Sequence, residues 1–576
     1  SLYRVECVSI MSRKIICNPL NLEYRYQNRI EDGRKSLSRE AADPTVMLFK
    51  DTYLLFASMS GGFWYSDDLV DWKFHETPEL PIYDYAPDVR IVDGKVVFSA
   101  SSHGKCRFYT SADPLHEPFA PMPESFAWWD PNIFQDDDGR VYFYWGCSTK
   151  PINGVEVDRK TLKPIGKAVD VIAGDTKTHG WERRGENNVY IKPKTHMEKM
   201  IESFLGKGPF IEGAYMTKHG GKYYLQYAAP GTEYNIYGDG VYVGDGPLGP
   251  FTYQRHNPFS AVPGGFIHAA GHGSTFQDKQ GRWWHASTML IGVNEKFERR
   301  VGLFPCDFDA DGILHCDQSL ADYPLDVYSR EKVGWMLLDG TATATSEQNG
   351  FAAANSCDEN IRTWWAAGTA AKTEALTLDL GAVKTVQAVQ VNFADHQLAA
   401  EAGKMVKSQT GARHIYVQPR RTRYLLEGSA DGEDWTILQD KQQAETDYCH
   451  DFFCLEQPQK LRYLRLSQME MPFGGVPAVS GLRAFGCGSG AKPQAVAGVQ
   501  AEKEGELNIQ IRWPAAQGAA RYNVRFGIAP DKLYGSWQTE KTELNLSFIN
   551  KGEHYWAAID SINENGVTAG EVVKLG

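Results

Sequence analysis

No run of about 18 consecutive apolar residues occurs anywhere in the 576-residue chain, which excludes a transmembrane helix. Helical periodicity, with apolar residues recurring every three or four positions, is scarce. Positive charge is in deficit: 60 Lys and Arg against 72 Asp and Glu leave a net charge of −12, which argues against nucleic acid as a partner. The ten cysteines include no CxxC and no Cys/His zinc spacing, so they read as free buried thiols. Cys306 with Cys316, and Cys449 with Cys454, are the pairs near enough in sequence to offer disulfides instead. The opening SLYRVECVSIMSRKIIC breaks its apolar residues with charges, so it does not read as a secretion signal, and location has to be inferred from function.

What is plentiful is aromatic: 15 Trp, 28 Tyr and 27 Phe. Short runs rich in Val, Ile, Tyr, Phe and Trp recur between DG, GG and GK turns, as in KVVFSASS, RVYFYWGCS and KYYLQYAAP, the pattern of an all-β protein. Polar, Pro- or Gly-rich joints near 329–335 and 487–494 divide it into parts at 1–330, 335–488 and 493–576. The first part hides a repeat in which a polar residue opens a strand and an aromatic strand answers it across a turn. Asp43, Asp88, Asp130, Glu212 and His272 lead five such units, at intervals of 45, 42, 82 and 60. Four-stranded propeller blades take roughly 40–50 residues, which predicts five blades with loops or insertions in the last two intervals, notably around 150–210. In a propeller the leading ends of the innermost strands converge on one funnel, so these five residues should face one another. Crowding carboxylates there is costly unless function requires it.

The pieces ADPTVMLF, YAPDV, WDPNIFQDDDGRVYFYWG, IEGAYMTKHGGKYYLQYA, GPLGPF and GHGSTFQDKQGRWWH, in this order across residues 17–328, resemble glycoside hydrolase family 43, a family of five-bladed propellers. Tyr85 of YAPDV stands where the family more often has Trp. The resemblance implies that Asp43 is the general base that activates water. It implies that Glu212 is the general acid, and that Asp130 is a third carboxylate raising and orienting the acid. It makes His272 a candidate contact for a central metal ion, or for sugar. Trp64, Tyr85, Asp88, Trp128, Trp129, Arg299 and Arg300 are the remaining candidate sugar contacts. The chemistry is sound in itself, because glycoside cleavage needs one protonated and one ionised carboxyl, standing roughly 6.5–9.5 Å apart if water attacks directly with inversion. Asp43 and Glu212 on non-adjacent blades suit the wider separation.

Residues 335–488, through NSCDENIRTWWAA, LTLDLG, YLLEGSADGEDWTIL, LRYLRL and VSGLRAFG, resemble the discoidin, or coagulation-factor type C, family, which includes family 32 carbohydrate-binding modules. That implies a jelly-roll sandwich, with Asp358 a candidate ligand for a structural calcium. Residues 493–576, through IQIRWPAA, ARYNVRFG and YWAAIDSINENGVT, resemble a fibronectin type III sandwich. The expectation is an inverting glycosidase on plant-type polysaccharide or oligosaccharide, exo-acting on α-L-arabinofuranose or β-D-xylose. No cofactor is needed for the chemistry beyond a structural ion, and the expected setting is secreted, periplasmic or on a bacterial surface. A galactose- or galactofuranose-releasing enzyme is one alternative. A non-catalytic glycan-binding or adhesion protein is another, weakened by the carboxylate trio, for which a binder has no use. With every candidate catalytic residue ahead of position 301, the downstream parts should be dispensable for chemistry.

Overall fold

Strands built from the alternating aromatic runs fill the chain, and two-residue turns fold them into hairpins. Lys50-Asp51, Asp93-Gly94 and Gly220-Gly221 all take positive φ at both turn positions, the geometry that matches the twist of the flanking strands. The structure is a computed structural model that describes residues 14–576 apart from 32–33, 83–84, 207, 402–404 and 409–412. Most of the N-terminal stretch read for a secretion signal, residues 1–13, lies outside the described residues. No described helix is long and apolar enough to cross a membrane. The nine described cysteines are free thiols, Cys306 and Cys316 standing opposite one another on paired strands.

The first part contains five antiparallel four-stranded meanders. Three are separate sheets, and the last two join through a parallel bridge between Gly238 and Ala270. Their leading strands are Ala42–Phe49, Asp88–Val92, Asn132–Gln135, Glu212–His219 and His268–Gln277. Each neighbours the next, and the fifth closes on the first.

The closure has a repeated chemical basis. Asp43, Ala86, Asp130, Gly213 and His272 all have φ between 50° and 67°. In each case a side chain of the preceding meander receives the freed N–H. Asp43 N donates to Thr288 Oγ1, Ala86 N to Ser58 Oγ, Asp130 N to Ser101 Oγ and His272 N to Asp239 Oδ1, all at 2.8 Å. Gly213 N donates to Asp130 Oδ2 at 3.2 Å. A left-handed backbone costs an L-residue roughly 1–2 kcal/mol, and here each bent residue is caught from the side.

This register corrects the repeat read from the sequence. The structural equivalents of Asp43 and Asp130 are Ala86 and Gly213, so Asp88 sits two residues beyond the bend and Glu212 one before it. Residues at Asp88's level tie adjacent leading strands together. Thr45 Oγ1 donates to Pro87 O (2.9 Å), Asp88 Oδ2 accepts from Ile133 N (2.9 Å), Asn132 Oδ1 from Met216 N (2.9 Å) and Ser274 Oγ from Val46 N (3.0 Å).

Downstream, an eight-stranded sheet is dominated by the long strands Leu376–Phe393 and His450–Glu470. Beyond it, residues 500–574 form a three-stranded and a five-stranded sheet. The joint near 330 does not separate the sheets. The hairpin Arg25–Glu31 and Arg34–Glu40 pairs with Arg413–Tyr416, and Leu325–Asp326 pairs with Glu331–Lys332 across the joint itself. Arg39, with a fully buried side chain, donates to Asp395 (2.7 Å) and to Asp447 (2.9 Å). The long insertion also has a partner: Gly180 N donates to Ile549 O, Arg183 reaches Leu507 O and Ser547 O, and Trp181 joins the apolar core of the last part.

Candidate active site

Asp43, Asp130 and His272 meet because each takes the same left-handed bend in, or just ahead of, a leading strand. His272 Nδ1 lies 3.3 Å from Asp43 Oδ1 and 3.8 Å from Asp130 Oδ2. Glu212 enters from the residue before the fourth bend, and Gly213 must follow it: a Cβ there would stand 2.9 Å from the His272 ring, at a φ of +67°. Asp43 Oδ2 accepts from Ser58 Oγ (2.9 Å), and its Oδ1 faces Arg299 Nη1 and Thr288 Oγ1, both at 3.4 Å. Glu212 accepts from the Tyr237 hydroxyl at 2.5 Å and from the Cys147 thiol at 3.1 Å. Ligand-type atoms of Asp130, Cys147 and Glu212 all lie within 4.8 Å of one another.

These neighbours divide the carboxyls electrostatically. Burial alone would raise Asp43, but the charges of His272 and Arg299, the Ser58 hydroxyl and the charge of Arg413 outweigh it, holding the carboxyl below its ordinary range. Burial pushes Asp130 up to about 7; His272 opposes the shift, and the charges of Glu212 and Asp43 reinforce it. Burial likewise raises Glu212, against the pull of His272 and of the Tyr237 hydrogen bond. Desolvation would make His272 neutral, but Asp43, Asp130 and Glu212 together raise it. One side therefore holds an ionised carboxylate, and the other a coupled pair that keeps a proton near neutrality. A set of this kind can take a proton from water and give one to a leaving oxygen.

The other residues singled out from the sequence divide between site and scaffold. Arg299 donates to Glu40 Oε1 at 2.6 and 2.9 Å besides facing Asp43. Trp129 lies 5.8 Å from Tyr85 and 4.7 Å from His103, and Tyr85 lies 5.9 Å from Phe297, giving an aromatic wall. Trp128 points the other way, into a core with Phe108, Phe126 and Phe143. Trp64 is wholly buried against Phe74 in the core. Both Asp88 oxygens are taken, by Asn132 Nδ2 and Ile133 N. Arg300 turns to His450 Nε2 (2.8 Å) and the Arg39 carbonyl. His272, its Nδ1 turned to two carboxylates, leaves only Nε2 for a metal ion. Asp358 accepts from Asn360 N (3.1 Å) and Thr363 Oγ1 (2.5 Å), so both its oxygens are already engaged within one loop.

Sequence reading missed Cys147, Tyr237, Glu40 and Ser58, and missed Arg413 from far downstream. Arg413 donates to the Tyr85 hydroxyl, and its Nη1 lies 3.6 Å from Glu40 Oε2.

Comparison with known proteins falls on the same segment. The sequence profile of glycosyl hydrolases family 43 matches residues 36–314, a span that holds Asp43, Asp130, Glu212 and His272 but not Arg413. The chain is 28% identical over 274 residues to Xylosidase/arabinosidase 43A of Humicola insolens, covering 43% of this chain and 79% of that protein. It is 30% identical over 157 residues to a Beta-xylosidase of Xylanibacter ruminicola, covering 25% and 46%. It is 25% identical over 299 residues to Non-reducing end alpha-L-arabinofuranosidase BoGH43B of Bacteroides ovatus, covering 47% and 50%. The match spans about half the length of the last two proteins.

Proposed function

We propose that this chain, a glycoside hydrolase whose residues 36–314 form its family 43 domain, removes single β-D-xylosyl or α-L-arabinofuranosyl units from the ends of oligosaccharides or polysaccharides, with inversion at the anomeric carbon. The observation that carries the reading is the electrostatic split of the carboxyls: Asp43 held down by His272 and Arg299, Glu212 and Asp130 held up by burial. In the mechanism Asp43 accepts a proton from the attacking water while Glu212 protonates the leaving oxygen. Tyr237 and Cys147 fix the Glu212 carboxyl, and Asp130 makes its ionised form costly. The chemistry needs no cofactor, since both proton transfers lie within reach of carboxyl groups.

Sugar choice follows from the relatives, whose names span xylosidase, arabinosidase and α-L-arabinofuranosidase. The aromatic wall of Trp129, Tyr85 and Phe297 supports an exo-acting pocket rather than an open cleft. The architecture belongs to the same reading: the five meanders form a five-bladed propeller, the eight-stranded sheet a discoidin-like jelly roll, and the last two sheets a fibronectin type III-like sandwich. A glycan-binding role for the second part fits that architecture.

Glu212→Gln tests the assignment. Hydrolysis of natural xylosides or arabinosides should fall by about 10³-fold or more, while aryl glycosides whose leaving group needs little protonation lose much less. Proton NMR of the first-formed sugar from the wild-type protein should display the inverted anomer. Equal losses on both substrate types, or a retained anomer, would overturn the roles given to Glu212 and Asp43.

A further inference from the structure

The second part of the chain reaches the active site through Arg413. Arg413 begins the strand Arg413–Tyr416, which pairs with Arg25–Glu31, so the sheet shared between the two parts delivers it. Its side chain is 1% exposed. The guanidinium donates to the Tyr85 hydroxyl and to Gln27 Oε1 (3.4 Å), and its Nη1 stands 3.6 Å from Glu40 Oε2. Its Cζ is 4.5 Å from the centroid of the Tyr85 ring and 5.3 Å from that of Phe297. Glu40 in turn holds Arg299, which faces Asp43.

Two features separate this from an ordinary interface ion pair. Besides Glu40 and Gln27, the groups Arg413 meets are Tyr85 and Phe297, two of the three rings of the aromatic wall. The Glu40 carboxylate it shares is bonded to the same arginine that meets the base. Removing Arg413 would free the Tyr85 hydroxyl and leave Glu40 to draw Arg299 away from Asp43.

We propose that Arg413 is a positioning residue of the active site, supplied across the boundary between the parts, which fixes the Tyr85 face of the sugar pocket and sets the Glu40–Arg299 pair against Asp43. It would sit among the groups that face Asp43 from every side: His272 and Arg299 at contact distance, Asp130 beyond His272, Glu212 from the fourth leading strand and Glu40 behind Arg299. The role goes beyond the acid–base assignment and rests on it, because it takes Asp43 to be the base.

The test compares Arg413→Met and Arg413→Lys with the unsubstituted 576-residue chain, reading kcat and KM against pH on an aryl xyloside or arabinofuranoside. Arg413→Met removes a positive charge, so the Asp43 carboxyl should ionise at higher pH. The acidic limb of kcat/KM should rise by roughly half a unit, and KM by about fivefold or more. Arg413→Lys keeps the charge but not the planar fork, so KM should still rise about threefold while the acidic limb stays in place. A folded Arg413→Met protein with a wild-type limb and KM would overturn the proposal. If Arg413→Met does not fold, Arg413→Lys decides alone, and a wild-type KM there overturns it equally. Asp43→Asn keeps the two layers apart: full activity in that variant would sink the base assignment itself, whereas its inactivity beside unchanged Arg413 variants would sink only the present inference.

Discussion

Asp130 illustrates how a residue can matter without making or breaking a bond. Its Oδ2 accepts from Gly213 N, the amide that follows Glu212, and the charge of Glu212 raises the Asp130 carboxyl, so the two groups resist ionising together. Asp130→Asn keeps the shape and removes the charge. Glu212 should then lose its proton at lower pH, moving the alkaline limb of kcat/KM down by roughly one unit. The limb belongs to the coupled pair, so the comparison is between whole profiles. A fixed limb with a lower rate would make Asp130 an orienting residue only. At this scale the four bend-and-acid residues were legible because each announces itself beside Pro or Gly at the head of a strand. Trp128 and Trp129 were not separable, because neighbours on an extended chain point to opposite faces and only the register tells which face is the funnel. Cys147 and Tyr237 carry no sequence signal: a thiol and a phenol become partners of Glu212 only when the segments after Val141–Trp145 and before Gly238–Gly244 are set beside it.

Between strands, the unit of construction is a side chain of one meander bonded to the backbone of the next. Asn132 makes one such link, accepting from Met216 N, and also donates to the Asp88 Oδ1 of the meander before it, and it is fully buried. Asn132→Ala leaves the Met216 N–H unsatisfied and strips Asp88, whose carboxyl burial already pushes up to about 6, of one of its donors. A loss of about 2–4 kcal/mol is expected from two buried hydrogen bonds to backbone and charge. It should be read as a fall in urea midpoint monitored by tryptophan fluorescence, with kcat of the surviving folded protein close to wild type. A midpoint like that of the wild type would mean that the ring does not rely on these links. The repeat itself was legible from turns and aromatic strands. Its phase was off at two of five positions because Asp88 and Glu212 are polar residues near a Pro or Gly, and the spacing alone did not distinguish the bend from its neighbours.

Across the whole chain, the joints near 330 and 490 look like linkers in composition, yet the parts they connect share a sheet, a buried ion cluster and an apolar core. A chain ended near residue 330 would strip Arg39 of Asp395 and Asp447 and would expose the edge of the 25–40 hairpin that pairs with Arg413–Tyr416. Such a truncation should be poorly soluble, melt without a cooperative transition and lack activity on small aryl glycosides. Soluble, folded material with wild-type turnover would restore the separable arrangement expected from the sequence. Contacts spanning more than 350 residues, such as Arg39 with Asp395, are invisible to any reading that proceeds by local pattern. The Arg39 cluster also bears on descent. Because one half of each ion pair lies on either side of the apparent joint, recombination at that joint would give offspring with an orphaned buried charge. The two parts should therefore be inherited as one lineage, Arg39 appearing and disappearing among related sequences together with its two aspartates.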